Sequence, residues 1–291
     1  MPKRTKAIAP WGVAVVLLSW LASPCMAREP RSAEEYFRRG LARYAAGDLD
    51  GAIEDFTNAI VVNSNIDVGA LKQLKRINSS YDKDGRFDPC DKVAVIDEFN
   101  AQAYYNRGNV RLDKGDLSGA IRDFDKAVAL NPQNVLAWNN RGVVRQKTGD
   151  IDGALSDFNR TIQLAPRSSR AYNNRGTLRI EMKDFDGAIA DYTRAIGIDP
   201  QNAAAFNNRG NAYDAQGELD KARGDFDRAI ELNANMLDAY MNRGLTLIRQ
   251  GKDAEAEKDF AHYLRYASDM KDTLDKLVRE ARDSRQLSVV H

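Results

Sequence analysis

Apolar and small residues return along this chain at a fixed period of 34. Gly108, Gly142, Gly176, Gly210 and Gly244 follow one another at that spacing, and Gly40 lies two periods before Gly108. An aromatic stands four residues before each glycine: Tyr36, Tyr104, Trp138, Tyr172, Phe206 and Tyr240. Twelve residues after each glycine comes an alanine: Ala52, Ala120, Ala154, Ala188, Ala222 and Ala256. A second aromatic follows four later, at Phe56, Phe124, Phe158, Tyr192, Phe226 and Phe260, and Pro132, Pro166 and Pro200 close three of the units. Self-similarity at this period marks stacked supersecondary units.

The residue types predict two helices, A and B, per unit. Gly and Ala suit positions where the helices approach closely, and the aromatics are expected to fill the wedge between one hairpin and the next. A Gly-Asp step at 47–48, 115–116 and 149–150 places glycine where helix A ends and aspartate where helix B needs a cap. Proline ends helix B because it cannot continue the hydrogen-bond ladder. One hairpin cannot bury its own apolar face, so stacking is required and stability is largely nearest-neighbour. Every unit also carries Arg immediately before its glycine and Asp sixteen residues later: Arg39/Asp55, Arg107/Asp123, Arg141/Asp157, Arg175/Asp191, Arg209/Asp225 and Arg243/Asp259. These positions fall at similar heights on antiparallel helices, which predicts a ladder of ion pairs with a structural role.

The columns of aromatic, Gly, Ala, aromatic and Pro resemble the tetratricopeptide repeat over six units, 33–66, 101–134, 135–168, 169–202, 203–236 and 237–270. The chain departs from that pattern in two ways. Arg replaces the usual Leu before every glycine, and Ser64, Ala234 and Ser268 replace proline. The resemblance implies an all-α fold, a right-handed superhelical solenoid of antiparallel hairpins, with the A helices lining a concave face where bound segments lie.

The span 67–100 keeps the phase and loses the pattern: Leu74 stands for Gly, Arg86 for Ala and Cys90 for the aromatic. Val68, Leu71 and Leu74 suggest one amphipathic helix and Val93, Ile96 and Phe99 another, joined by a polar loop, a degenerate hairpin. Within that loop Ser80, Asp82, Asp84, Asp88 and Asp91 partly match a calcium loop, but Ser at the first place and Asp at the last depart from it. The loop therefore reads as a solvated acidic turn, with a calcium-responsive regulator acting through 80–91 as the alternative. Met270, Leu274, Leu277 and Val278 predict a capping helix within 271–291.

The first residues are compositionally separate. Lys3, Arg4 and Lys6 precede an apolar run from Trp11 to Ala22, and small residues lead on to Ala27, the layout of a secretory signal peptide over 1–27. This predicts an exported protein, periplasmic or secreted. A membrane-tethered assembly factor is the alternative if the segment is retained or Cys25 is lipidated. Cleavage would leave Cys90 as the one thiol, so packing rather than an internal disulfide must hold the fold.

Charge removes some functions. With 43 basic against 42 acidic residues there is no clustered excess to favour nucleic acid. The two histidines, His262 and His291, belong to no catalytic set, and no metal or cofactor motif is present, so neither cofactor nor enzymatic activity is expected. Asparagine is the residue that repeats on helix A. Asn106, Asn140, Asn174, Asn208 and Asn242 lie two positions before their glycines, Asn139, Asn173 and Asn207 one position earlier, and Asn109 and Asn211 just after a glycine. Each amide offers a donor pair and an acceptor, which suits an extended peptide backbone of any sequence. Other proteins, engaged through extended segments, are the expected partners. Arg170, Lys147 and Arg249 on this face are offset by Asp113, Glu181, Asp214 and Asp238, which points to a neutral or mixed-charge ligand.

Overall fold

The computed structural model describes residue 30, residues 32–64 and residues 89–289. The expected signal segment with Cys25, the expected first helix of the degenerate hairpin, and Ser80, Asp82, Asp84 and Asp88 of the calcium-like loop lie outside the described residues. All elements among the described residues are helical. They are α1 (Ala33–Ala45), α2 (Leu49–Ser64), α3 (Pro89–Lys114), α4 (Leu117–Leu130), α5 (Val135–Lys147), α6 (Ile151–Leu164) and α7 (Ser169–Glu181). Then follow α8 (Phe185–Ile198), α9 (Ala203–Ala215), α10 (Leu219–Leu232), α11 (Leu237–Arg249), α12 (Asp253–Tyr266) and, after a short 3-10 turn, α13 (Lys271–Val289). The chain forms two compact units, residues 1–110 and 111–291.

In the first unit α1 and α2 form one antiparallel hairpin. Ala52 and Phe56 of α2 and Val110 of α3 are fully buried together. Phe37 packs edge-on against Phe56 and also meets Phe99. A helix was expected over Val93–Phe99 and a new one from residue 101, but α3 runs unbroken through both. No Gly or Pro stands at the join, and Asn100 spends its amide elsewhere, accepting from Asn63 at 2.9 Å and donating to Ser64. Arg107 donates to the Thr57 hydroxyl at 2.9 Å.

In the second unit the hairpins α5/α6, α7/α8, α9/α10 and α11/α12 stack in chain order. The glycine columns do what their spacing predicts. A Cβ on Gly142 would come within 2.8 Å of the Phe158 ring, and one on Gly210 within 2.6 Å of Phe226. Rings of this column reach forward into the next hairpin: Phe158 is buried with Leu178 of α7, and Tyr192 with Ala212 of α9. Asp116, Asp150 and Asp184 cap α4, α6 and α8 through Oδ1, each accepting from the backbone N–H of a glycine three residues on. The glycine ahead of the cap adopts positive φ, 85° at Gly115 and 82° at Gly149, but Lys183 takes that left-handed place with φ 59°. At the C-terminal end α13 covers the last hairpin. Ala281 is buried with Leu247, Ile248 and Ala256, and Arg285 donates to the Ile248 carbonyl and to Asp253.

The arginine before each glycine is the junction residue. In both units the guanidinium grips the aspartate sixteen residues on through two parallel bonds, at 2.9 and 2.7 Å for Arg39/Asp55 and for Arg141/Asp157. Arg175/Asp191, Arg209/Asp225 and Arg243/Asp259 repeat the geometry. The carboxylates are buried. In the second unit the remaining nitrogen reaches back to helix B of the preceding hairpin, to Asp125, Asn159, Thr193 or Asp227. The guanidinium also lies over the aromatic three residues earlier, 4.6 Å from the ring centre at Trp138, a favourable cation–π placement. One residue therefore joins two hairpins. A second arginine row supports it: Arg111, Arg145 and Arg179 each add a bond to the same buried aspartate of their own hairpin. The signal for this row, Arg three residues after the glycine, is visible in the sequence once the first row is known.

Candidate functional site on the A helices

Positions six, three and two before the glycine and one after it share one face of a helix, by the 3.6-residue period. In the second unit this face is presented by α5, α7, α9 and α11, and neighbouring A helices in that series touch directly. The predicted asparagines lie on it, but they do not stand alone. Asn174 donates to Asn139 at 2.9 Å, Asn208 to Asn173 at 3.2 Å and Asn242 to Asn207 at 3.1 Å, each bond crossing from one hairpin to the one before. Within a helix Asn139 donates to Asn140 and Asn207 to Asn208.

The ladder therefore exists as a stitched floor between A helices rather than as a row of independent hooks. Asn139 and Asn207 are buried. Asn140, Asn173, Asn174, Asn208 and Asn242 are half-buried. Each amide has more hydrogen-bonding capacity than one or two neighbours can use. Asn211 is exposed, while Asn106 and Asn109 are half-buried in the first unit.

The rest of the face differs from repeat to repeat. Six residues before the glycine stand Leu136, Arg170, Ala204 and Asp238, all exposed. Leu136 leaves 51% of its surface open, unusual for leucine, and sequence reasoning passed it over because a lone apolar residue on helix A reads as core. Asp214, Arg249 and Glu181 of the face are tied up internally, while Lys147 on α5 is exposed and makes no ion pair among the described residues. Asp214 accepts from Thr246 at 2.8 Å and pairs with Arg249, and Glu181 accepts from Gln146. His262, outside this face, stacks on Tyr240 with centroids 4.0 Å apart, a packing role. Among the described residues no cluster of His, Cys, Asp or Glu is placed to hold a metal ion. No described helix is long and apolar enough to cross a membrane.

Comparison with known proteins agrees with this architecture. Models of the TPR repeat match residues 108–149 and 176–217, and models of the tetratricopeptide repeat match 203–236 and 237–270. No curated protein sequence matches the chain. Among solved structures, MamA is similar at 27% identity over 60% of this chain and 94% of its own, with a TM-score of 0.51. YrrB, described as having an unusual peptide-binding site, shares 19% identity over 67% of this chain and 98% of its own, TM-score 0.51. PilF of Pseudomonas aeruginosa shares 20% over 66% and 91%, TM-score 0.55. The last two show the fold alone.

Proposed function

The chain belongs to the tetratricopeptide repeat family of protein-interaction scaffolds, and we propose that it is a non-catalytic adaptor holding an extended polypeptide segment along the A-helix face of its second unit. The observation that carries this reading is the stitched asparagine floor. Asn174, Asn208 and Asn242 are fixed in orientation by bonds to neighbouring asparagines while remaining half-buried. Amides held in place lose little rotamer freedom when a ligand arrives, which favours binding by preorganisation. They recur once per hairpin, so a segment laid across the helices meets the same polar chemistry at each step. The scaffold is proposed to act after export, the expectation drawn from residues 1–27. Cell fractionation with the mass of the mature N-terminus tests that location, and a full-length, membrane-bound chain would favour a tethered assembly factor.

Capture from a pool of unstructured random-sequence peptides tests the binding role. The wild type is compared with an Asn140/Asn174/Asn208→Ala variant and with Asn211→Ala, which alters the same face without touching the stitches. Thermal melts run in parallel, because the ladder also joins helices. Weaker capture by either variant with a folded melt supports the reading. Equal capture by all three proteins sinks it.

A further inference from the structure

The exposed line across the N-terminal ends of the A helices reads Leu136, Arg170, Ala204, Asp238, one residue per hairpin. Its charges, like Lys147 on α5, differ from the internally satisfied charges of the face. Asp214 and Arg249 neutralise each other, and Glu181 is bonded to Gln146. Arg170 and Asp238 make no ion pair among the described residues, and both are exposed. The line is thus apolar at α5, positive at α7, small and neutral at α9 and negative at α11.

We propose that the occupant of this face is an extended segment with a fixed register of its own: an apolar residue, an acid one hairpin along, and a base two hairpins further. This rests on the groove reading above and adds the ligand's side-chain pattern to it. Packed helices stand about 10 Å apart. An extended chain advances roughly 3.3 Å per residue, so one hairpin corresponds to about three residues of ligand. The acid therefore falls about three residues from the apolar anchor and the base about six beyond the acid. Ala204, lacking a large side chain, leaves room for the residues between. Leu136 supplies the apolar contact and Val143 stands one residue after the glycine on the same face of α5. Arg170 suits a carboxylate because its planar guanidinium can bond both oxygens at once, and Asp238 accepts from an ammonium or guanidinium. The asparagine floor binds backbone and is indifferent to sequence, so this line is what selects.

Synthetic peptides with Leu, Glu three residues later and Lys six further provide the probe, against the same peptides with Glu and Lys exchanged, each in both chain directions. Binding is read by fluorescence anisotropy at low salt. In one direction the wild type is expected to prefer the matched peptide roughly tenfold, as two exposed charge pairs change sign together. An Arg170→Glu/Asp238→Lys variant is expected to invert that preference, and the gap is expected to shrink as salt rises. Both substitutions are at exposed positions, and a melt confirms that the variant folds. Equal affinity of the wild type for matched and exchanged peptides overturns the register, as does a variant that keeps the wild-type preference. Failure of every probe to bind overturns it too. The groove reading is judged separately, by capture from the random-sequence pool.

Discussion

Arg209 grips Asp225 through two parallel hydrogen bonds of 2.7 and 2.8 Å, and Tyr213 occupies the place where α5 and α7 supply a second arginine, Arg145 and Arg179. Asp191, one hairpin earlier, is held both by Arg175 and by Arg179. Arg175 and Arg209 have the same side-chain exposure, 17%, so the two junctions form a matched comparison. Removing one partner strands a buried carboxylate, which costs about 3–5 kcal/mol when nothing replaces it. Arg209→Ala is expected to destabilise in that range, and Arg175→Ala by about 1 kcal/mol less, because a charge-assisted bond from Arg179 remains. Chemical denaturation of the two variants provides the check, and the order of the two losses is the decisive reading.

The close approach of Gly210 to Phe226 sets a second expectation. A methyl there meets the ring at 2.6 Å, and the ring is fully buried. Gly210→Ala is expected to cost about 1–3 kcal/mol, although alanine is the better helix former, since overpacking outweighs propensity. Pairing it with Phe226→Leu is expected to recover part of the loss in the same melt.

Lys183 sits with φ 59° where Gly115 and Gly149 stand at 85° and 82°. The left-handed region costs a non-glycine residue about 1 kcal/mol or slightly more. Lys183→Gly is expected to raise the melting temperature, with a gain of up to about that size after glycine's larger unfolded-state entropy is counted.

Burial pushes the Tyr192 phenol up to about 12, with its bond to Thr177 acting in the opposite direction. The neutral form is favoured in the fold, so this contribution to stability is complete below the ordinary tyrosine value of about 10 and is lost as pH rises through about 12. Ultraviolet titration of tyrosinate is expected to show a late component that Tyr192→Phe removes. Asp116 works at the other end of the scale. The Gly119 N–H, with Ser118 and Arg111, holds its carboxyl below the usual range. That stability is present above about pH 4 and is lost as pH falls through the depressed value. Asp116→Asn is expected to keep the cap, whose oxygen still accepts, and to flatten the acid side of the melting-temperature profile.

Much of the architecture was legible because each column answers to a local rule. Gly142 needs space for Phe158, Asp150 needs the N–H of Gly153, and both needs recur once per period. The Arg141/Asp157 pair was legible for the same reason, since both partners lie in one hairpin. Its bond to Asp125 was not, because that partner sits in the preceding hairpin and its counterparts are Asn159 and Thr193, with no single residue type to betray the column. The asparagine face was found as a face, while its bonds were missed. Asn174 reaches Asn139 across 35 residues, a pairing that depends on how two A helices are juxtaposed rather than on either helix alone. The unbroken run of α3 escaped notice because the repeat phase suggested a seam where the backbone has none.

The backward reach of the junction arginine has a consequence for how such a chain can change length. Its third contact accepts aspartate, asparagine or threonine at one fixed register. A hairpin placed after α4, α6, α8 or α10 would find a usable acceptor waiting, whereas the last hairpin carries Ala261 at that register. These seams are interchangeable, so duplication or deletion of a whole unit at one of them leaves no unmatched edge, whereas an insertion out of phase breaks the seam it interrupts. The array is built from a single connector, and its length is free to vary in steps of one hairpin.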